Sequence, residues 1–149
     1  MSTPNYSQFI SGIVTRLKED TRLDAINDDS IHYGGNVPQI VQWPAVTVDL
    51  TEVTEEWKTF GGTRRGGKDA TCTVVISVYD QQYDYMAGLT SIEGHVENIE
   101  NVIRGDLGIS GTAYYSEAGT KRFSQVLYDN TPVFGAEIIL TSKIRFQQS

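Results

Sequence analysis

The chain has little of what covalent stapling and side-chain catalysis draw on. A single cysteine, Cys72, stands in 149 residues. No disulfide can form within the chain, and the thiol lies on the inward face of a strand pattern, where it reads as a small buried hydrophobe. Only two histidines occur, His32 and His95, far apart in sequence. Neither sits in an H-E-x-x-H pattern, and one His beside surface carboxylates makes a poor metal site. No apolar run approaches the ~18 residues that a membrane-spanning helix needs. The opening MSTPNYSQFISGIV lacks a basic stretch ahead of an apolar one, so no signal peptide is expected and synthesis in a cytoplasm is. Positive charge is also short: 12 Lys and Arg stand against 19 Asp and Glu, a formal net charge of −7. Duplex affinity comes mostly from neutralising phosphates, so nucleic-acid binding is not expected.

Motifs that carry chemistry fail on inspection. Gly62, four residues, Gly67 and Lys68 match most of a phosphate-binding loop. That loop needs Ser or Thr next, to hold Mg²⁺, and then a helix whose N–H groups cradle the anion. Here Asp69 follows, and then an alternating strand pattern. Asp80, Gln82 and Asp84 resemble the start of a calcium loop, but Tyr85 replaces its glycine and Ser91 its bidentate glutamate. There is no G-x-S-x-G elbow to single out a nucleophilic serine. The expectation is a non-enzyme with no catalytic residue, metal or cofactor. A Ser–His–Asp grouping assembled in three dimensions stays open.

What the chain does have is clean periodicity. Ala70–Tyr79 (ATCTVVISVY) alternates strictly, with Cys72, Val74, Ile76 and Val78 on one face, and predicts a strand buried mainly on one side. Val46, Val48 and Leu50 alternate upstream, after Pro44. A phase change at Val53 suggests a bulge or an exit from the core. The two strands would form a long antiparallel hairpin. Phe9, Ile10, Ile13, Val14 and Leu17 recur at helical spacing and predict a first helix over about Pro4–Asp20, N-capped at Thr3, with a short continuation possible through Ile26. Leu89, Ile92, Val96, Ile99 and Ile103 predict a second, with Glu93, His95, Glu97 and Glu100 on its polar face, an N-terminal cap within Asp80–Asp84 and Gly105 at its C-terminal end. Asn27–Pro44 reads as irregular, with room for one short strand. Leu107–Lys121 reads as loop or weak strand, Arg122–Asp129 as a strand, and Gly135–Phe146 as the last strand. The order helix, strand, strand, helix, strand, strand predicts a single α+β domain over 1–149: a mostly antiparallel sheet of about four strands with two amphipathic helices on one face.

Charge is segregated along the chain. Trp57–Lys68 holds Lys58, Arg64, Arg65 and Lys68, a third of all the basic residues, and no acid. Glu19–Glu56 holds nine acids and one base, and Asp80–Asp106 six acids and one base. A positive arm and negative faces on one chain suit head-to-tail docking onto a copy of itself or onto a partner. Trp57 and Phe60 add the aromatic anchors common at buried contacts. Trp57, Lys58, Phe60, Arg64, Arg65 and Lys68 are therefore the candidate protein–protein interface.

The whole-chain arrangement resembles the tail terminator, or tail-completion, proteins of tailed bacteriophages. The resemblance rests on the opening helix Tyr6–Leu17, the strand start at Pro44-Ala45-Val46-Thr47-Val48, the alternating Cys72–Tyr79 strand, the helix of Leu89, Ile92, Val96, Ile99 and Ile103, and the closing Gly135–Leu140 strand. It implies a homo-oligomeric, hexameric ring in the virion, assembled in the host cytoplasm, that caps the tail tube, ends its polymerisation and joins it to the head–tail connector or neck. It implies no catalytic residue. Other head–tail adaptors and tail-tube proteins share the arrangement, and a small-ligand or enzymatic α+β domain is the reading from a different class.

Overall fold

The computed structural model describes residues 6–23, 26, 30–33, 43–57, 67–82, 84–106, 109, 115–128 and 130–147. Its elements, in chain order, are helix α1 (Tyr6–Glu19), a 3₁₀ turn (Thr21–Leu23), strand β1 (Ile31–Tyr33), strand β2 (Ala45–Trp57), strand β3 (Gly67–Gln81), helix α2 (Tyr85–Gly105), strand β4 (Tyr115–Tyr128) and strand β5 (Thr131–Gln147). The predicted α+β class holds. Four long antiparallel strands carry two helices, and the short β1 joins as a fifth, parallel to β2.

The sheet order is β1-β2-β3-β5-β4. The most regular stretch of the sequence therefore sits at the centre, hydrogen-bonded to β2 on one side and to β5 on the other over its whole length. Cys72, Val74, Ile76 and Val78 are fully buried on its inward face. Val46 and Val48 of β2 and Ala136, Ile138 and Leu140 of β5 stand beside them on the same face. Phe9, Ile10, Ile13 and Leu17 of α1 and Ile92, Val96, Ile99 and Ile103 of α2 close over this layer in one core. Truncating any one of these large side chains to alanine would cost about 2–5 kcal/mol. Arg16 of α1 ties the two helices at their ends, bonding Asp20 at 3.3 Å and Asp106, just past α2, at 3.6 Å. The Cys72 thiol is pushed up to about 11 by burial, so it is no nucleophile at neutral pH.

Each of the two strands flanking the central pair contains one extra residue. In β2, Leu50 pairs with Val74 and Glu52 with Thr73, leaving Thr51 over. The phase change at Val53 is thus a bulge within the strand. In β4, Ala118 pairs with Leu140 and Lys121 with Ile138, so Gly119 and Thr120 together oppose one residue. That bulge explains why β4 begins at Tyr115 rather than at the expected Arg122. Gly119 and Thr120 break the alternation, and the first half carries small polar residues such as Ser116, which bonds Ser142 at 2.8 Å inside the sheet face.

α2 starts at Tyr85, with the Asp84 carboxylate accepting from the Met86 N–H, which satisfies one of the free donors of the first turn. Its polar face is narrower than the sequence suggests. His95 and Glu100 are buried. His95 lies three residues after Ile92 and four before Ile99, which puts it inside the apolar stripe. Glu100 is held at the stripe's border by Arg104 at 3.1 Å and Lys121 of β4 at 3.0 Å.

Candidate interaction surface

Two of the six residues singled out from sequence lie at the far end of the β2–β3 ladder. Trp57 and Lys68 form its last described rung. Lys58, Phe60, Arg64 and Arg65 lie outside the described residues. β5 runs beside β3 to the same level, Gly67 pairing with Gln147, so three strands carry this end beyond Ala70. Tyr6 at the start of α1 braces it: its hydroxyl donates to Glu55 Oε1 at 2.8 Å. Burial first, and then the Glu55 carboxylate, push that phenol up to about 12, so it keeps its proton and the bond at any ordinary pH.

The opposite end of the sheet carries a surface that sequence reasoning missed. The bulge at Gly119-Thr120 turns Lys121, Phe123, Gln125 and Leu127 of β4 to the face that bears the helices, on the rungs of Ile138, Ala136, Phe134 and Pro132. α2 covers β3 and β5 but leaves this outermost strand partly open. Phe123 is 53% exposed, Leu127 73%, Tyr85 56% and Met86 66%, and these are the exposed large apolar side chains among the described residues. Tyr85 packs edge-on to Phe134 with ring centroids 5.7 Å apart. Between α2 and β4 runs a groove with two compartments that share Phe123. One, of about 240 Å³, is walled by Tyr85, Leu89, Phe123 and Phe134 together with Ser124 and Gln125. The other, of about 420 Å³, is lined by Glu93, Glu97, Glu100, Arg104, Lys121 and Phe123. Apolar surface grouped in this way, rather than scattered, marks contact sites.

Ser91, His95 and Asp80 do come together, beneath the N-terminal half of α2. Ser91 Oγ donates to Asp80 Oδ2 at 2.5 Å and stands 3.3 Å from His95 Nε2, while Asp80 Oδ2 is 4.0 Å from that same nitrogen. Gln82 donates to the same carboxylate oxygen at 3.2 Å. A hydrolytic triad needs serine and carboxylate on opposite ring nitrogens, so that the base can take the serine proton. Here both crowd one nitrogen and the serine proton is already given to Asp80. Burial holds the His95 imidazole below its usual value, with Asp80 as a smaller opposing influence. The arrangement reads as a polar clamp between α2 and β3. Among the described residues no group of three or more His, Cys, Asp or Glu is placed to hold a metal, and no helix is long and apolar enough to cross a membrane.

No family model matches the chain, and no curated protein matches it in sequence. A solved structure does match in shape. A chain of the "Virion of native gene transfer agent (GTA) particle" superposes with a TM-score of 0.51 at 11% identity, over 91% of this chain and 93% of that one. At that identity the likeness is one of fold. It extends over nearly the whole of both chains.

Proposed function

We propose that this protein is a non-enzymatic structural component of a tailed, phage-like virion, and that within the tail it acts as the terminator. Subunits join head to tail in a ring of about six, cap the finished tube, end its polymerisation and present the head connector or neck with a docking surface. The observation that carries this reading is the end-to-end likeness in fold to a chain of a gene transfer agent virion, with neither chain leaving a large part unmatched. Two features of the chain itself support it. A third of the basic residues fall within Trp57–Lys68, a stretch without an acid, and exposed apolar surface lies toward the other end of the sheet from the Trp57–Lys68 rung. A molecule with unlike ends associates heterologously, and such contacts close into rings when the rotation permits.

Native mass across a concentration series, with negative-stain electron microscopy, tests the proposal. The expected result is a discrete ring of about six subunits, binding at the end of purified tail tubes and blocking further growth. Filaments that lengthen with concentration would identify a tube subunit instead. A monomer at every concentration that also fails to bind tubes would overturn the virion reading.

A further inference from the structure

We infer that the groove between α2 and β4 receives the basic 57–68 segment of a neighbouring copy. The inference rests on the ring reading above and names its contact. The receiving surface combines two chemistries in a fixed order. Its smaller compartment presents the apolar Tyr85, Leu89 and Phe123 beside Ser124 and Gln125, and its charged compartment presents Glu93 and Glu97, both exposed. Arg104 and Lys121 already serve Glu100 there, so the acids that face outward set the charge an arriving segment meets. The 57–68 segment carries the complement: four cations, no acid, and the aromatic residues Trp57 and Phe60. Apolar anchors beside paired charges are what a specific contact between proteins requires.

Chain length decides whether the segment is the molecule's own or a neighbour's. Ten peptide steps separate Trp57 from Gly67, so a loop anchored at both ends extends at most ~17 Å from the hairpin. The groove is farther away. Lys121 and Phe123 lie on the rungs of Ile76 and Val78, eight and ten residues along β3 from Lys68, or ~26 and ~33 Å. They also lie two strands to the side, a further ~10 Å. The segment therefore cannot fill the groove of its own chain. A second copy can offer it, and the resulting contact is head to tail, since giving and receiving surfaces lie at opposite ends of one sheet.

Charge reversal with rescue tests this. Glu93→Lys/Glu97→Lys alters only exposed side chains of α2, and Arg64→Glu/Arg65→Glu alters the segment. Each double variant should reduce the ring fraction in native mass spectra at least tenfold while keeping the wild-type circular dichroism and melting temperature. The chain carrying all four changes should recover part of the ring, because the side chains at 64 and 65 again meet opposite charges at 93 and 97. As a second readout, Phe123→Cys combined with Phe60→Cys should give disulfide-linked oligomers under oxidation; the native Cys72 is fully buried and will not compete. If the wild type forms rings and groove reversal leaves them intact, the inference fails and the ring reading stands. Intact rings that lose only tube attachment would assign the groove to the tube and equally overturn the inference. Absence of any ring in the wild type, with or without tubes, would remove both.

Discussion

At the scale of single residues, two glycines of α2 make a controlled pair. A Cβ on Gly88 would lie 2.2 Å from the Phe134 ring, whereas one on Gly94 would meet nothing within 4 Å. Gly88→Ala should therefore destabilise by about 1–3 kcal/mol through overpacking, despite the better helix propensity. Gly94→Ala should stabilise by up to about 1 kcal/mol, because alanine loses less backbone freedom on folding. Urea unfolding of both variants checks the contrast, and equal shifts in the same direction would refute the packing assigned to Phe134. His95 supplies a pH dependence of known sign. Its folded value lies below the unfolded one, which is near ~6.5, so the fold favours the neutral ring. The stability it contributes is complete above the unfolded value and is lost as pH falls through the folded one. Between pH 7.5 and 5 the unfolding midpoint of the wild type should fall more steeply than that of His95→Gln. Asp49, raised by burial, acts with the opposite sign at lower pH and is common to both proteins, so the difference reports His95 alone.

At the scale of elements, the bulges explain what was legible in the sequence and what was not. Ala70–Tyr79 of β3 and Gly135–Phe146 of β5 were readable because a strand buried mainly on one face puts an apolar residue at every second position, as Cys72, Val74, Ile76 and Val78 do in one and Ala136, Ile138 and Leu140 in the other. β2 was readable up to its phase change at Val53, itself the sign of the extra Thr51. The first half of β4 and the three-residue β1 were not, since small polar residues and so short a strand carry little periodicity. The α2–β4 groove was illegible for a further reason. Whether Phe123 faces the helices depends on the Gly119-Thr120 bulge, which only pairing with β5 reveals. A deletion pair tests this account of register. Without Thr51, Leu50 still pairs with Val74 and Val53 with Cys72, so both halves of β2 keep their inward faces. That variant should fold with a melting temperature within a few degrees of wild type. β3 has no spare residue, so without Val75 either Cys72 and Val74 or Ile76 and Val78 must leave the inward face. A one-residue slip reverses every side chain beyond it, so the Val75 deletion should melt well below the Thr51 deletion.

At the scale of the whole molecule, a chain with net charge −7 must overcome its own repulsion to assemble, and ionic strength separates the two forces at work. General repulsion between like-charged subunits is long-ranged and is screened by salt, which favours association. Attraction between a basic segment and an acidic groove is screened as well, which opposes it. At 0.01 M salt the screening length is about 30 Å, so repulsion between whole subunits is felt; at 1 M it is about 3 Å and even exposed ion pairs are weakened. Apolar contact at Phe123, Leu127, Tyr85 and Met86 is not weakened by salt in this way. A ring held by both kinds of contact should therefore be most stable at intermediate salt, near 0.1–0.2 M, and should partly dissociate toward 1 M without vanishing. Glu93→Lys/Glu97→Lys should abolish the high-salt decline, because it removes the attraction that salt screens, whereas Phe123→Ala should deepen that decline by leaving charge as the main adhesive. Sedimentation velocity at fixed protein concentration across this salt range measures both slopes. A ring population that rises steadily to 1 M in every variant would mean that apolar surface alone holds the subunits, and that the charge pattern of the sequence serves some contact other than the one between copies.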